Sequence, residues 1–273
     1  HSWLEQLSNI APNGTFYRFG YPRGFADKGR AGFDQSANNW LLPPSSQSPT
    51  FVNSGNLLCH PSQRTPSQMP RFPRLQALPG GTIALRYAEN GHVTIPGGGR
   101  NLLGKPKNGG TVFVFGTQEP RSDEKVVDVL QWTRDGSGGD RRGLLLAAQD
   151  FDDGRCYQLS NAPLANERKA RTPNPVAGQP GSEHELLCET DVTLPTVVRI
   201  DEPYTLYWVW QWPTAAEADP NYPIGKDEYY VSCADVDIVS SLQSNHVDQL
   251  LAQQDPMSSA VPDFKSRGAI TTD

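Results

Sequence analysis

YTLYWVWQW occupies residues 204–212 and is the most regular stretch of this sequence. Its large apolar side chains fall on every second position, at Tyr204, Leu206, Trp208, Trp210 and Trp212. Successive side chains of a β-strand point to opposite faces, so the alternation predicts a strand with one apolar face. The three tryptophans are most simply interpreted as core residues on that face.

Three other stretches repeat the pattern and indicate the fold class. Residues 228–239, EYYVSCADVDIV, alternate again, and residues 109–117, GGTVFVFGT, are rich in β-branched and aromatic residues. Residues 82–87, TIALRY, follow a Pro-Gly-Gly turn and place apolar side chains on one face. Short strands separated by turn residues, with little helical periodicity, predict an all-β protein. We expect an antiparallel β-sandwich of the immunoglobulin or fibronectin type, with long loops.

The organisation along the chain follows from length and local composition. A chain of 273 residues is long enough for a substantial core. We predict one domain over residues 1–239, followed at 240–273 by a polar C-terminal tail or linker remnant, because that segment is rich in Ser, Gln, Asp and Pro. Residues 16–40 carry aromatic side chains between Gly, Pro, Arg and Asp, which indicates long loops. We expect about half of these rings to pack in the core and the rest to form a functional face.

Charge and hydropathy exclude several classes of partner. The net charge is −6 and the sequence pI is near 5.4. An acidic chain is a poor partner for nucleic acid or for an anionic membrane surface. No run approaches the roughly 18 apolar residues of a membrane-spanning helix. We therefore expect neither nucleic acid nor a membrane as a partner. We also expect the protein to be a monomer.

The cysteine pattern points to an oxidising compartment. Cys59, Cys156, Cys188 and Cys233 are widely spaced, and the absence of a CxxC pair disfavours a zinc site. Two disulfides are expected, and the spacing leaves all three connectivities open. The glycosylation sequon at residues 13–15, Asn-Gly-Thr, is compatible with the same compartment. These features predict a secreted, extracellular protein.

The first residue carries the strongest chemical signal. The chain begins with His1, which indicates a processed N-terminus. The α-amine and ring Nδ1 of an N-terminal histidine can chelate one metal ion, and an α-amine with a pKa of about 7.7–8.0 gives up its proton at modest cost. A second imidazole would complete a set of three nitrogens, which suits Cu(II). His92, in the strand-end sequence ENGHVT at 89–94, is the candidate.

His1, PGGTIALRYAENGHVT, YTLYWVWQWP and DEYYVSCADVDI occur in that order. Together they resemble the copper lytic polysaccharide monooxygenases, and the overall character is closest to a little-characterised fungal branch. The resemblance implies that His1 and His92 hold copper as a histidine brace. It also implies that Tyr230, three residues before Cys233, lies at the axial position. Cellulose-active fungal members have a glutamine two residues before that tyrosine, where this chain has Glu228 on the same strand face. The candidate catalytic residues are therefore Tyr230 and Glu228, and the candidate metal ligands are His1, His92 and Tyr230.

The same resemblance implies a reaction. One copper ion would be reduced by an external electron donor and react with oxygen or hydrogen peroxide. The resulting oxidant would take hydrogen from C1 or C4 of a sugar, and the glycosidic bond of a polysaccharide substrate would break. The alternative is a non-catalytic copper-binding or copper-handling protein on the same fold. A broad, flat aromatic surface around the metal would favour the enzyme, and a closed or acidic one would favour the alternative.

The resemblance also implies the disulfide pairing. In the family, a cysteine that precedes the second-histidine strand commonly bridges to the terminal strand near the axial tyrosine. That assigns Cys59 to Cys233, and we predict a bridge between Cys156 and Cys188 beside it.

Overall fold

The computed structural model describes residues 1–95, 102–172, 185–242, 260–261 and 263–267. Its strands are β1 (Leu4–Ile10), β2 (Phe16–Gly20), β3 (Leu41–Leu42), β4 (Leu75–Ala77), β5 (Thr82–Tyr87), β6 (Thr111–Thr117), β7 (Leu144–Asp150), β8 (Cys188–Thr193), β9 (Pro203–Gln211) and β10 (Tyr229–Ile238). Its α-helices are α1 (Val126–Val129), α2 (Pro163–Arg171) and α3 (Phe264–Arg267). Short 3-10 turns lie at Gln35–Ala37, Pro61–Gln63 and Lys107–Gly109.

The strands of the described segments form two sheets. One has four strands in the order β2-β1-β5-β8, all antiparallel. The other has the order β3-β10-β9-β6-β7, also antiparallel, and β4 adds a parallel pairing with β10. The predicted all-β sandwich is confirmed. The strand expected at residues 204–212 is β9, and the one expected at 228–239 is β10.

The core lies between the sheets and is centred on β9. Trp208 and Trp210 are fully buried in the main cluster, and Trp208 packs against Tyr87 of the facing sheet. The opposite face of β9 is buried as well, because Tyr207 and Val209 pack in a second cluster with Trp132. That second cluster lies beneath α1 and the segments that precede it. The alternating pattern predicted one buried face, whereas this strand is covered on both.

Two disulfides tie loops to strands, and both predicted pairings are confirmed. Cys59 is joined to Cys233 of β10 across a separation of 174 residues. Cys156, which follows β7, is joined to Cys188 at the start of β8. Bridges of this kind typically stabilise a fold by about 2–4 kcal/mol.

Two segments add structure that the sequence patterns did not indicate. Residues 160–186 are polar and rich in Pro, Asn and Arg, yet they contain α2. Arg168 of this helix donates to the carboxylate of Asp152 and to the Cys156 carbonyl, each at 2.7 Å. Of residues 240–273, the structure describes only 240–242, 260–261 and 263–267. The backbone N–H of Ala260 donates to the Gly14 carbonyl at 2.7 Å. Among the described helices, none is long and apolar enough to cross a membrane.

Candidate metal centre

The N-terminus is held where the two sheets meet. The Ser2 hydroxyl donates to the Ala88 carbonyl at 2.8 Å, just beyond the end of β5. The Leu4 N–H donates to the Ser232 hydroxyl of β10 at 3.1 Å. These bonds fix the start of β1 against both sheets and leave His1 at the surface. The α-amine is thereby brought to the loop that follows β5.

That loop presents His92 and is built around a buried carboxylate. Glu89 accepts hydrogen bonds from the backbone N–H groups of Val93 at 2.7 Å, Thr94 at 3.3 Å and Gln158 at 2.9 Å. It also accepts from the Thr94 hydroxyl. Four donors on one buried carboxylate fix the path of the chain on both sides of His92. Two successive left-handed residues, Asn90 with φ 47° and Gly91 with φ 79°, make the turn.

His1 and His92 meet at this point. The His1 α-amine donates a hydrogen bond to Nε2 of His92 at 2.8 Å, and the Asn90 side-chain amide donates to the His1 carbonyl at 2.5 Å. The His92 ring is packed edge-on against Trp212 and Trp210, with ring centroids 4.3 and 4.9 Å apart. Burial lowers the pKa of His92 to about 4, although the charge of Glu228 opposes the shift. The imidazole is therefore neutral near pH 7, which is the form that binds metals.

Tyr230 lies beside the two histidines. Its ring centroid is 5.7 Å from that of His1, and its other side stacks on Trp210 at 4.9 Å. The Tyr230 hydroxyl donates to Oε1 of Glu228 at 2.8 Å. Burial, together with the negative charge of Glu228, raises the pKa of Tyr230. The side chain is consequently a phenol with its proton directed at a carboxylate.

Glu228 is held by two ammonium groups in addition to the phenol. The Lys105 Nζ lies 2.7 Å and the Lys226 Nζ 2.8 Å from its Oε2. Lys105 also donates to the Trp212 carbonyl at 2.8 Å and lies 4.0 Å from the centre of the Trp212 ring. Burial raises the pKa of Glu228, but the charges and hydrogen bonds of Lys105 and Lys226 outweigh it and leave the pKa below its ordinary value. Glu228 is thus an ionised carboxylate at the edge of the site.

The structure brings all four predicted site residues, His1, His92, Tyr230 and Glu228, into one cluster. Three further residues shape this cluster and were not among the predicted ones: Glu89, Lys105 and Gln158. Glu89 stands three residues before His92 in the sequence. An acidic residue so close to a candidate ligand could have been proposed as part of the site. Lys105 and Gln158 come from separate loops, and their sequence context carries no sign of the site.

The donor set fits a nitrogen-preferring metal ion. Two nitrogens that are each about 2.0 Å from one ion and at right angles to each other lie roughly 2.8 Å apart. The His1 amine and His92 Nε2 have that separation. The His92 ring is neutral near pH 7, and the His1 ring supplies a further nitrogen on the same residue as the amine. Nitrogen-only donor sets of this kind favour copper among the common divalent ions.

Two open grooves flank His1 and His92. Both are lined by Asn90 and Gln158 as well as the two histidines. The first has a volume of about 500 Å³ and is also lined by Trp3, Lys28, Phe33 and Gln35. The second has a volume of about 550 Å³ and is also lined by Gly91, Ile95, Leu102, Trp212, Glu228 and Tyr230. Among the described residues, His1 and His92 therefore border two grooves that share part of their lining.

The aromatic residues of 16–40 contribute little to these grooves. Tyr21 and Phe25 are buried in a cluster with Trp3 and Phe72. Phe33 is half-buried and is the one ring of that segment that lines either of these two grooves. Two of the seven rings are buried, fewer than the expected half, and the expected aromatic face is reduced to a single ring beside the histidines.

A family model for a domain of unknown function, DUF7492, matches residues 1–262. The chain belongs to the DUF7492 family. No curated protein matches it. Among solved structures, this DUF7492 chain is similar to a cellulose-active polysaccharide monooxygenase from M. thermophila. The identity is 16%, the match covers 89% of this chain and 80% of that one, and the TM-score is 0.36. That likeness is distant, so the chemistry of this DUF7492 protein has to be inferred from its own side chains.

Proposed function

We propose that this protein, with His1 as its first residue, binds one copper ion through the α-amine and ring of His1 and the ring of His92. We propose further that it is a secreted copper-dependent monooxygenase or peroxygenase that oxidatively cleaves glycosidic bonds of a polysaccharide. The observation that supports this most directly is the 2.8 Å separation between the His1 amine and His92 Nε2. The two disulfides are compatible with an extracellular location.

The side chains around the site have definable roles in this proposal. When bound, copper would supply the one-electron chemistry by which oxygen or hydrogen peroxide is activated to take hydrogen from C1 or C4 of a sugar. Trp210 and Trp212 hold the His92 ring in place and exclude water from it. Tyr230 covers one side of His1 and keeps its proton on the hydroxyl, directed at Glu228. Because His1 lies at the surface beside open grooves, an external electron donor and a polymer can both reach it.

Extending the N-terminus by one residue tests the proposal. A retained glycine before His1 converts the amine to an amide, which keeps its proton near neutral pH and is a poor metal donor. We expect Cu(II) binding to weaken by about a thousandfold, which corresponds to roughly 4 kcal/mol. Thermal stability should change little, because His1 is exposed and the core does not depend on it.

The measurement is copper titration and thermal melting of two proteins side by side, one that begins at His1 and one with the added glycine. A protein extended by a glycine at the C-terminus is the matched control and should bind copper like the protein that begins at His1. Equal copper affinity in all three proteins would contradict the proposal.

A second candidate is a non-catalytic copper-handling protein on the same fold. One observation favours it, because the described residues around His1 and His92 form no broad, flat, exposed aromatic surface. Reductant-dependent release of oxidised oligosaccharides from a panel of polymers distinguishes the two. The enzyme produces them and the copper-handling protein does not.

A further inference from the structure

We infer that the substrate of this site is a single hydrated polysaccharide chain that lies along the groove, and not the flat face of a crystalline polymer. The inference rests on the proposed function and adds the physical state of the substrate to it. It is supported by where the aromatic side chains are, by the shape of the surface around His1 and by the groups that line it.

Aromatic rings do not form a platform at the site. A protein that adheres to a flat polymer face needs exposed rings or another flat apolar patch on its own surface. The chain has 6 Trp, 9 Tyr and 10 Phe residues, and all of them lie in the described segments. Tyr17 is the most exposed of these rings, with 37% of its surface accessible to solvent, and all the others are half-buried or buried. The segments at 96–101 and 173–184 contain no Trp, Tyr or Phe in their sequence.

Tyr17 is too far from His1 to belong to the same surface. It lies on β2 and pairs with Asn9, near the end of β1 that is remote from His1. The extended chain from His1 to Asn9 rises by about 3.3 Å per residue and therefore spans roughly 25 Å. The rings closest to His1 and His92, those of Trp212 and Tyr230, are buried.

The surface around the two histidines is concave. The grooves of about 500 and 550 Å³ are both lined by His1 and His92 and share four lining residues. A single chain that lies in either groove would therefore contact the histidines. A flat crystalline face could touch the exposed His1 but could not enter the grooves.

The grooves offer hydrogen bonds that suit hydroxyl groups. Gln35 lines the first groove and Gln158 lines both, and within the described part of the chain neither side-chain amide has a hydrogen-bond partner. Lys28 is paired with Glu5, so its charge is compensated. Amides that can both donate and accept match the hydroxyls of an uncharged sugar chain, whose other face stays hydrated.

The test compares one polymer in two physical states, using the copper-loaded full chain. Cellulose, chitin and starch are each supplied as soluble oligomers and as crystalline or granular material. Binding is measured by depletion, and oxidised products are measured with a reductant present. We expect at least about tenfold more product from the soluble form of the accepted polymer. Equal or greater product from its crystalline form would overturn the inference.

Groove variants make the test specific. Gln35→Ala and Gln158→Ala should each raise KM for the soluble chain about threefold to tenfold, because each removes a hydrogen-bonding group. Gln131→Ala, which changes an exposed glutamine outside both grooves, is the control and should leave KM unchanged. Unchanged KM in both groove variants would overturn the placement of the substrate.

Failure of the proposed function would look different. Copper titration and peroxide formation from oxygen and reductant, both measured without polymer, report on the metal site alone. If neither is observed, the proposed function is wrong. If both are observed but no polymer is oxidised in either state, the copper site stands while the proposed cleavage of polysaccharide is wrong. If product comes equally or mainly from the crystalline form, the proposed function stands and only the inference about the substrate is wrong.

Discussion

Glu89 is the residue on which the geometry of His92 depends most. Its buried carboxylate accepts hydrogen bonds from three backbone N–H groups and the Thr94 hydroxyl. In Glu89→Gln one carboxylate oxygen becomes an NH2 group that faces donors and cannot accept from them. We expect the free energy of unfolding to fall by about 2–3 kcal/mol. Copper affinity should fall with it, because the His92 loop loses its fixed path.

Chemical unfolding and copper titration of the variant measure both effects. Glu119→Gln, which changes an exposed carboxylate in the turn after β6, is the matched control and should alter neither. Unchanged stability in Glu89→Gln would show that the carboxylate is not the organiser of this loop.

Tyr230 should influence the electronic properties of the site more than its affinity for metal. Tyr230→Phe removes a hydroxyl that donates to Glu228 and keeps the ring beside His1. We expect copper affinity to stay within roughly threefold while the copper spectrum and the turnover rate change. The loss of a buried hydrogen bond to a carboxylate should cost about 1.5–3 kcal/mol of stability.

Tyr229→Phe is the matched control, because the Tyr229 hydroxyl lies on the other face of the strand and accepts from Gln211 at 2.7 Å. It should leave the copper spectrum unchanged. A collapse of copper affinity in Tyr230→Phe, with normal circular dichroism, would exclude the proposed position of Tyr230 beside the metal.

Among single residues, those with a chemical signal of their own could be proposed from the sequence, and those whose role depends on contacts in the fold could not. His1 stands out because an N-terminal histidine has its own coordination chemistry. Lys105 gives no such signal, since a lysine in a loop is ordinarily solvated. Only the fold brings it within 2.7 Å of Glu228 and over the ring of Trp212.

The loop between β5 and the 96–101 segment is the element that positions the second histidine. Gly91 has φ 79°, and a Cβ atom there would lie 3.3 Å from Oε1 of Gln158. Gly91→Ala should therefore cost about 1–2 kcal/mol in backbone strain and also displace the loop. We expect weaker copper binding in addition to lower stability.

Gly32→Ala separates these two effects. Gly32 has φ 76°, but no atom of the described residues lies within 4 Å of the place that a Cβ would take, so the variant carries the strain without the crowding. It should lose similar stability in unfolding experiments and keep its copper affinity. Equal copper affinity in the two variants would contradict the importance of the turn.

Elements with strong periodicity were predictable, and those held by tertiary contacts were not. β9 and β10 alternate clearly, so their existence followed from the sequence. The helix α2 has the sequence PLANERKAR, whose few apolar residues give no amphipathic stripe. It is fastened by the ion pair of Arg168 with Asp152, a contact that only the folded chain can make.

In the whole molecule, the described part of the C-terminal segment lies against the four-stranded sheet. Arg267 of α3 approaches two buried acidic residues of β8, with its Nε 3.7 Å from Oδ2 of Asp191 and an Nη2 bond of 3.0 Å to the Glu189 backbone carbonyl. Burial raises the pKa of Glu189. Burial and the nearby charge of Glu189 raise the pKa of Asp191, and the positive charge of Arg267 opposes that rise. The division at residue 239 stays a prediction, and these contacts allow it to be tested.

The sign of the pH effect follows from the raised pKa values. A carboxyl whose pKa is higher in the folded state stabilises the fold below its ordinary pKa, and this stabilisation is lost as pH rises through the raised value. Arg267→Gln removes the opposing charge and should raise the folded pKa of Asp191 further. The variant should therefore lose more stability at about pH 8 than at about pH 4.

Urea unfolding of both proteins across that pH range measures this difference. Arg199→Gln, which changes an exposed ion pair with Glu202, is the control and should show little dependence on pH. A stability loss in Arg267→Gln that is independent of pH would show that Arg267 acts by packing and not by charge.

If the protein holds copper as proposed, the burial of its disulfides has a practical consequence for how that copper could be reduced. All four cysteines are buried, while His1 is exposed. Thiol–disulfide exchange requires an attacking thiolate to reach a sulfur atom. Small thiols such as glutathione would therefore meet the surface site without access to either bridge. In the proposed copper protein, a medium rich in thiols would therefore reduce the metal and leave both disulfides intact.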